Sequence, residues 1–257
     1  MGTIRIGTSG WDYPEWVGPV YPPRGKLDKL RFYTGLFPIV EVNSTFYRLP
    51  PTSYAASWVR RTPSGFRFAL KFPQAITHER RLVGADTELR QFLEFLRPLQ
   101  ESHRLAAALL QLPPSLPFEP ATVRGFYEQL PPEIPVAVEF REPSWLSPES
   151  FALLREFHLA HVVVDEPHLP VRLERTASFS YLRFHGHGQP VWYDYRYSDA
   201  ELEGWVPKIR ELAESDTELL VFFNNHFRGD AAANAHRLTE LLELPSEAWM
   251  VRGRLPV

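Results

Sequence analysis

Eight short apolar runs recur along the chain, at residues 4–7, 39–43, 66–71, 105–112, 136–141, 161–165, 179–185 and 219–225, and each ends on or beside polar side chains. Most of the intervals between them have helical spacing. The clearest is 87–102, where Leu89, Phe92, Leu93, Leu96 and Leu99 make one stripe. Strand alternating with helix calls for a parallel sheet. Eight such units in 257 residues match a (β/α)8 TIM barrel, an α/β fold of about 250 residues. Further helices are expected over 27–36, 53–61, 119–130, 148–158, 199–213 and 230–242. The interval 166–178 is short and broken by proline, so the sixth helix is expected to be irregular or missing. In this fold all strand C-termini open on one mouth, and the active site sits there.

No Ser/Gly-rich linker or low-complexity stretch divides the chain, so a single domain over 1–257 is expected. No apolar run approaches the roughly 18 residues needed to cross a bilayer. Met1 leads directly into the first strand, which leaves no room for a signal peptide, and a cytoplasmic location is expected. Cysteine is absent, which excludes disulfides, thiolate chemistry and cysteine-ligated metal. A net charge of −3 gives no global attraction to nucleic acid or an anionic membrane.

Residues two apart on a strand share a face. Glu41 with Asn43, Glu139 with Arg141, and Arg183 with His185 are therefore same-face pairs at strand ends. With Ser9, Lys71, Gln111, Asp165, Asn224 and Asn225 they would form a polar ring at the mouth. Charges in a closed barrel must pair with one another or meet a ligand, because leaving one unpaired costs several kcal/mol. Lys71 could act as a base or Schiff-base nucleophile, hold an anion, or pair with Glu41 or Glu139. Glu41 and Glu139 could exchange protons as an acid/base pair. They could equally ligate a hard divalent metal with Asp165 and His185, although no compact metal-binding spacing supports that. The loops after strands seven and eight carry Gly186, Gly188, Arg228 and Gly229, the parts of a phosphate site. Trp11 and Trp145 stand beside the ring and could stack on a ligand.

Several motifs also resemble one known family. They are Gly7-Thr8-Ser9-Gly10-Trp11, the ten residues from Glu41 to Pro50, Lys71-Phe72-Pro73 with Ile76-Thr77-His78, and Gln111-Leu112-Pro113-Pro114. Further along come Val138-Glu139-Phe140-Arg141 with Ser144-Trp145, Arg183-Phe184-His185-Gly186 and Phe222-Phe223-Asn224-Asn225. The set is similar to the domain-of-unknown-function 72, or YecE-like, family and spans nearly the whole chain. That resemblance implies a TIM barrel and supplies no activity. One departure is His187, where the family pattern leads one to expect arginine.

The leading expectation is an enzyme that acts on a small, polar, anionic metabolite by proton transfer or isomerisation, without a cofactor. In that scheme Lys71, Arg141 and Arg183 hold negative charge, Glu41 and Glu139 exchange protons, and Asn43, Gln111 and Asn225 orient hydroxyls. The alternatives are a metal-dependent phosphoesterase or nuclease using Glu41, Glu139, Asp165 and His185, and a non-catalytic barrel that binds a metabolite or a single nucleic-acid strand. TIM barrels host many chemistries, so the fold alone does not choose among them.

Overall fold

The structure is a computed structural model in which residues 2–215 and 218–245 are described. Eight strands close a barrel in sequence order: β1 (Thr3–Ser9), β2 (Ile39–Val42), β3 (Arg67–Lys71), β4 (Leu105–Gln111), β5 (Val136–Glu139), β6 (Ala160–Asp165), β7 (Phe179–Phe184) and β8 (Glu218–Phe223). Every neighbouring pair is parallel, and β1 closes on β8 through Thr3↔Glu218 to Thr8↔Phe223. The helices are α1 (Lys29–Tyr33), the single turn α2 (Ser44–Tyr47), α3 (Ser53–Arg61), α4 (Asp86–Glu101), α5 (Pro120–Tyr127), α6 (Pro148–Glu156), α7 (Asp199–Ser215) and α8 (Asp230–Leu241). The expected barrel is present.

Each strand is buried on both faces, as parallel strands under a coat of helices must be. Alternate residues divide between two cores. Ile39, Ala69, Ala107, Leu109, Ala137, Val162, Tyr181 and Phe222 pack inside the barrel. Val40, Phe68, Leu70, Val138, Val163 and Phe223 pack outward against helices. Gly7 is required by the tight interior, because a Cβ there would lie 2.1 Å from the Ile39 carbonyl oxygen. In α4 the buried stripe is Leu89, Phe92, Phe95, Leu96 and Leu99, while Leu93 is only half-buried.

No helix forms between β6 and β7. After Pro167 and Pro170 the chain crosses as an irregular strap whose backbone donors are met by side chains. Glu166 accepts from the His168 and Leu169 amides at 3.1 and 2.8 Å. Thr176 accepts from the His161 amide at 2.7 Å and donates to the Leu159 carbonyl at 2.6 Å, which ties the strap to the start of β6. These contacts meet backbone donors that a helix after β6 would otherwise satisfy internally. No helix among the described residues is long and apolar enough to cross a membrane.

Candidate active site

The inward parity of the strands sets the site. Arg183 shares its face with Tyr181, and its side chain is fully buried between two carboxylates. Its Nη2 donates to Glu41 Oε1 at 2.6 Å and its Nη1 to Glu139 Oε2 at 2.5 Å. The second oxygen of Glu41 accepts from the Tyr181 hydroxyl at 2.7 Å, and that of Glu139 accepts from Arg141 Nε at 2.5 Å. Burial pushes the Glu139 carboxyl up, but Arg141 and Arg183 beside it hold it well below its ordinary range. Burial depresses Arg183, yet Glu139 and Glu41 outweigh that and raise it.

His185 completes the network. Arg141 Nη2 donates to its Nε2 across 2.8 Å, and the Asn224 side-chain amide lies 3.0 Å from its Nδ1. Burial, with Arg141 and Arg183 adding repulsion, lowers its pKa from 6.5 to about 3, so the imidazole is neutral at physiological pH. The two guanidinium charges of Arg141 and Arg183 and the two carboxylates of Glu41 and Glu139 cancel.

Lys71 is the charge left over. It ends β3 with the inward parity of Ala69 and packs against Phe46 of α2, with Nζ 4.0 Å from the ring centroid. Among the described residues its ammonium has no hydrogen-bond or ion-pair partner. Desolvation, reinforced by Arg183, lowers its pKa from 10.5 to about 8. The expectation that Lys71 pairs with Glu41 or Glu139 is corrected: their oxygens are engaged by Arg183, Arg141 and Tyr181. Three further polar atoms of the site are unspent, since Ser9 Oγ, Asn43 Oδ1 and Arg183 Nε are buried without a hydrogen-bond partner. Asn43, Lys71, Gln111, Arg141 and Asn224 keep partial exposure, whereas Ser9, Glu41, Glu139, Arg183 and His185 are buried beneath them.

The family model described as "Protein of unknown function DUF72" matches residues 5–256. The chain belongs to the DUF72 family. It is 34% identical to the UPF0759 protein YunF of Bacillus subtilis, covering 94% of this chain and 95% of that protein. It is 28% identical to the UPF0759 protein YecE of Escherichia coli K12, over 84% of this chain and 85% of the relative. The crystal structure of a DUF72 family protein from Thermotoga maritima superposes with a TM-score of 0.85 at 35% identity, covering 94% of this chain and 99% of that one. The family resemblance and the barrel read from the sequence are both shown.

Not every residue expected at the mouth of this DUF72 barrel lies there. Asp165 has the parity of Val163, so it faces away from the interior and instead meets His187 at 3.1 Å. Asn225 has the parity of Phe223 and packs behind the rim, donating to the Tyr195 carbonyl at 2.8 Å and to Asn234 of α8 at 2.9 Å. Trp145 is completely buried, its indole N–H donating to the Leu116 carbonyl at 2.8 Å and its ring packed on Phe140 and Phe118. Trp11 lines a side cleft of about 730 Å³ with Tyr13, Tyr47, Tyr54 and Trp58, and Asn43 stands between that cleft and the mouth. Gln111 faces inward, with its amide donating to the Leu112 carbonyl at 3.0 Å.

The expected phosphate site is also corrected. Arg228 is engaged by Asp194 and Asp230, and Asp230 places a carboxylate at the first position of α8. The four-ligand metal set fails geometrically, because Asp165 is outside the barrel and Arg183 lies between the two glutamates. Among the described residues no group of three or more His, Asp or Glu side chains is arranged to hold a metal. Tyr181 was missed because an aromatic residue inside a strand reads as core. Its i, i+2 relation to Arg183 is the signal that could have found it.

Proposed function

We propose that this chain is an enzyme acting on a small, polar, anionic metabolite by proton transfer or isomerisation at the C-terminal mouth of the barrel. The observation that carries this reading is the unpartnered amine of Lys71 above a charge-balanced network. A structural ion-pair cluster has no use for a fifth charged group that is desolvated and unpaired, and such a group costs stability. Strongly perturbed groups of this kind mark functional sites. When protonated, Lys71 leaves one uncompensated positive charge, which suits an anionic ligand. Ser9 and Asn43 supply hydrogen bonds that the protein itself leaves unmade, and Gln111 and Asn224 line the same opening. Glu41 and Glu139 form the scaffold that fixes Arg183 and Arg141, in place of the proton-exchanging role first expected of them. The reading calls for no cofactor, and the absence of cysteine fits action in the cytoplasm.

Thermal-shift measurement with monoanionic sugar acids, sugar phosphates and keto acids tests the binding half. A ligand at about 100 times its Kd stabilises by about 2.7 kcal/mol, which in a chain of this size raises Tm by several degrees. The shift should disappear in Lys71→Met. The chemical half is read by NMR, as exchange of ligand C–H protons with deuterated solvent that Lys71→Met abolishes. A ligand that binds through Lys71 and is recovered without exchange or conversion would favour a non-catalytic barrel. No shift from any anionic class would overturn the proposal.

A further inference from the structure

The electrophilic partner of Lys71 can be named more narrowly if the reading above holds. Proton transfer beside a carbonyl needs an electron sink for the pair left on carbon. Arg141 and Arg183, the cations that could polarise a carbonyl oxygen, direct most of their donors to Glu139, Glu41 and His185, and the Nε of Arg183 that has no partner is sealed inside the barrel. His185 is buried and accepts from Arg141, so it offers no imidazolium. Lys71 carries the amine at the mouth, and among the described residues that amine has no hydrogen-bond or ion-pair partner; the Ser9 hydroxyl is likewise unpartnered but lies buried beneath the rim. The Lys71 Nζ sits over an aromatic ring at the partly exposed rim, with Ser9 and Asn43 unspent in the same ring.

We propose that Lys71 forms an imine with the carbonyl carbon of a small aldehyde or ketone carrying an adjacent anionic group, such as a 2-oxo acid or a phosphorylated ketose. The neutral amine adds to the carbonyl carbon, making the C–N bond while a proton passes from nitrogen to oxygen. The carbinolamine hydroxyl then takes up a proton from solvent, equivalent to the one released when the Lys71 ammonium became the neutral amine, and leaves as water, so that the C=N bond keeps its N–H and is protonated. No oxidant or reductant is consumed, and hydrolysis returns the amine and the carbonyl. The iminium restores the single positive charge of protonated Lys71, so the charge that meets the bound anion is unchanged. It also supplies an electron sink bonded directly to the carbon beside the one that loses its proton. Lowering of the amine pKa to about 8 leaves roughly a tenth of it neutral at pH 7, against less than a thousandth for an ordinary lysine.

The chain has four lysines, Lys26, Lys29, Lys71 and Lys208, so three serve as internal controls. The full chain is incubated near pH 8 with pyruvate, glyoxylate or dihydroxyacetone phosphate and sodium cyanoborohydride, and adducts are located by peptide mapping. A reduced adduct is expected at Lys71, forming about tenfold or more faster than at Lys26 and Lys208. Lys71→Arg keeps the charge and cannot form an imine, so it should retain the anion-dependent thermal shift while losing the adduct. Adducts spread evenly over the four lysines, or confined to exposed ones, overturn the imine. If the thermal shift is present, is lost in Lys71→Met, and no probe labels Lys71, the imine is wrong and the anion-binding reading stands. If the shift is also absent, both fall.

Discussion

A lysine kept desolvated and unpartnered should weaken the protein that contains it, and removing its charge should make the protein more stable. Lys71 falls from 10.5 to about 8 on folding, chiefly through burial. At about 1.4 kcal/mol per unit, that is a cost of about 3 kcal/mol at neutral pH. Lys71→Met keeps most of the apolar stem and deletes the ammonium. It also deletes the contact with Phe46, worth about 1 kcal/mol. Desolvation is the larger effect, so the variant should be more stable at pH 7 by about 2 kcal/mol, or roughly 4–8 °C in Tm. The pH dependence identifies the cause. Below the folded pKa both states hold the proton and the whole cost is present. Between about pH 8 and 10.5 the folded state releases it first, so the unfolded state binds more protons and wild-type stability rises with pH. Urea unfolding of both proteins at pH 7 and near pH 10 should show the gap shrinking by most of its desolvation part. Comparing the two proteins at each pH cancels the other groups that titrate there. A variant that is less stable at pH 7, or a gap that does not change with pH, would show that the ammonium is paired or hydrated and would remove the basis for the functional reading.

The network beneath Lys71 makes its own predictions. Arg183→Met strands Glu41 inside the barrel, leaves Glu139 with Arg141 as its one arginine partner, and should cost about 3–5 kcal/mol in urea unfolding at pH 7. Mild acidification should recover part of that loss, since protonation neutralises the stranded Glu41 carboxylate. His185, lowered from 6.5 to about 3, should show no imidazole titration by NMR between pH 5 and 8. Because the unfolded imidazole takes a proton that the folded one refuses, stability should fall as pH drops from 6.5 toward 3, and His185→Gln should flatten that slope. Trp145→Phe removes the hydrogen bond to the Leu116 carbonyl and should cost about 1 kcal/mol while leaving ligand-dependent thermal shifts intact. A lost shift in that variant would place Trp145 in the binding site after all.

The barrel was legible because a parallel strand buried on both faces reads as a short continuous apolar run, and eight such runs are hard to arrange otherwise. The same property hid part of the site. Where both faces of a strand are apolar, the sequence does not say which parity points inward. Glu41, Glu139 and Arg183 were placed correctly because each faces a barrel interior that holds other charges. Asp165 ends β6 in the same manner, yet Val162 and Val164 take the inward parity and put its carboxylate outside. Asn225 differs from Asn224 by one residue and so by one face. Pairing was less legible still, because it depends on distances across the barrel between residues as far apart in sequence as Glu41 and Arg183. From the sequence, Lys71 had as good a claim on the glutamates as either arginine did. The closed geometry gives Arg183 both carboxylates, Arg141 the remaining oxygen of one and Tyr181 that of the other, and leaves Lys71 with none. An amine that the fold could have neutralised with a nearby carboxylate, and instead leaves unpaired at a cost in stability, is the strongest local evidence that the mouth of this barrel meets something other than itself.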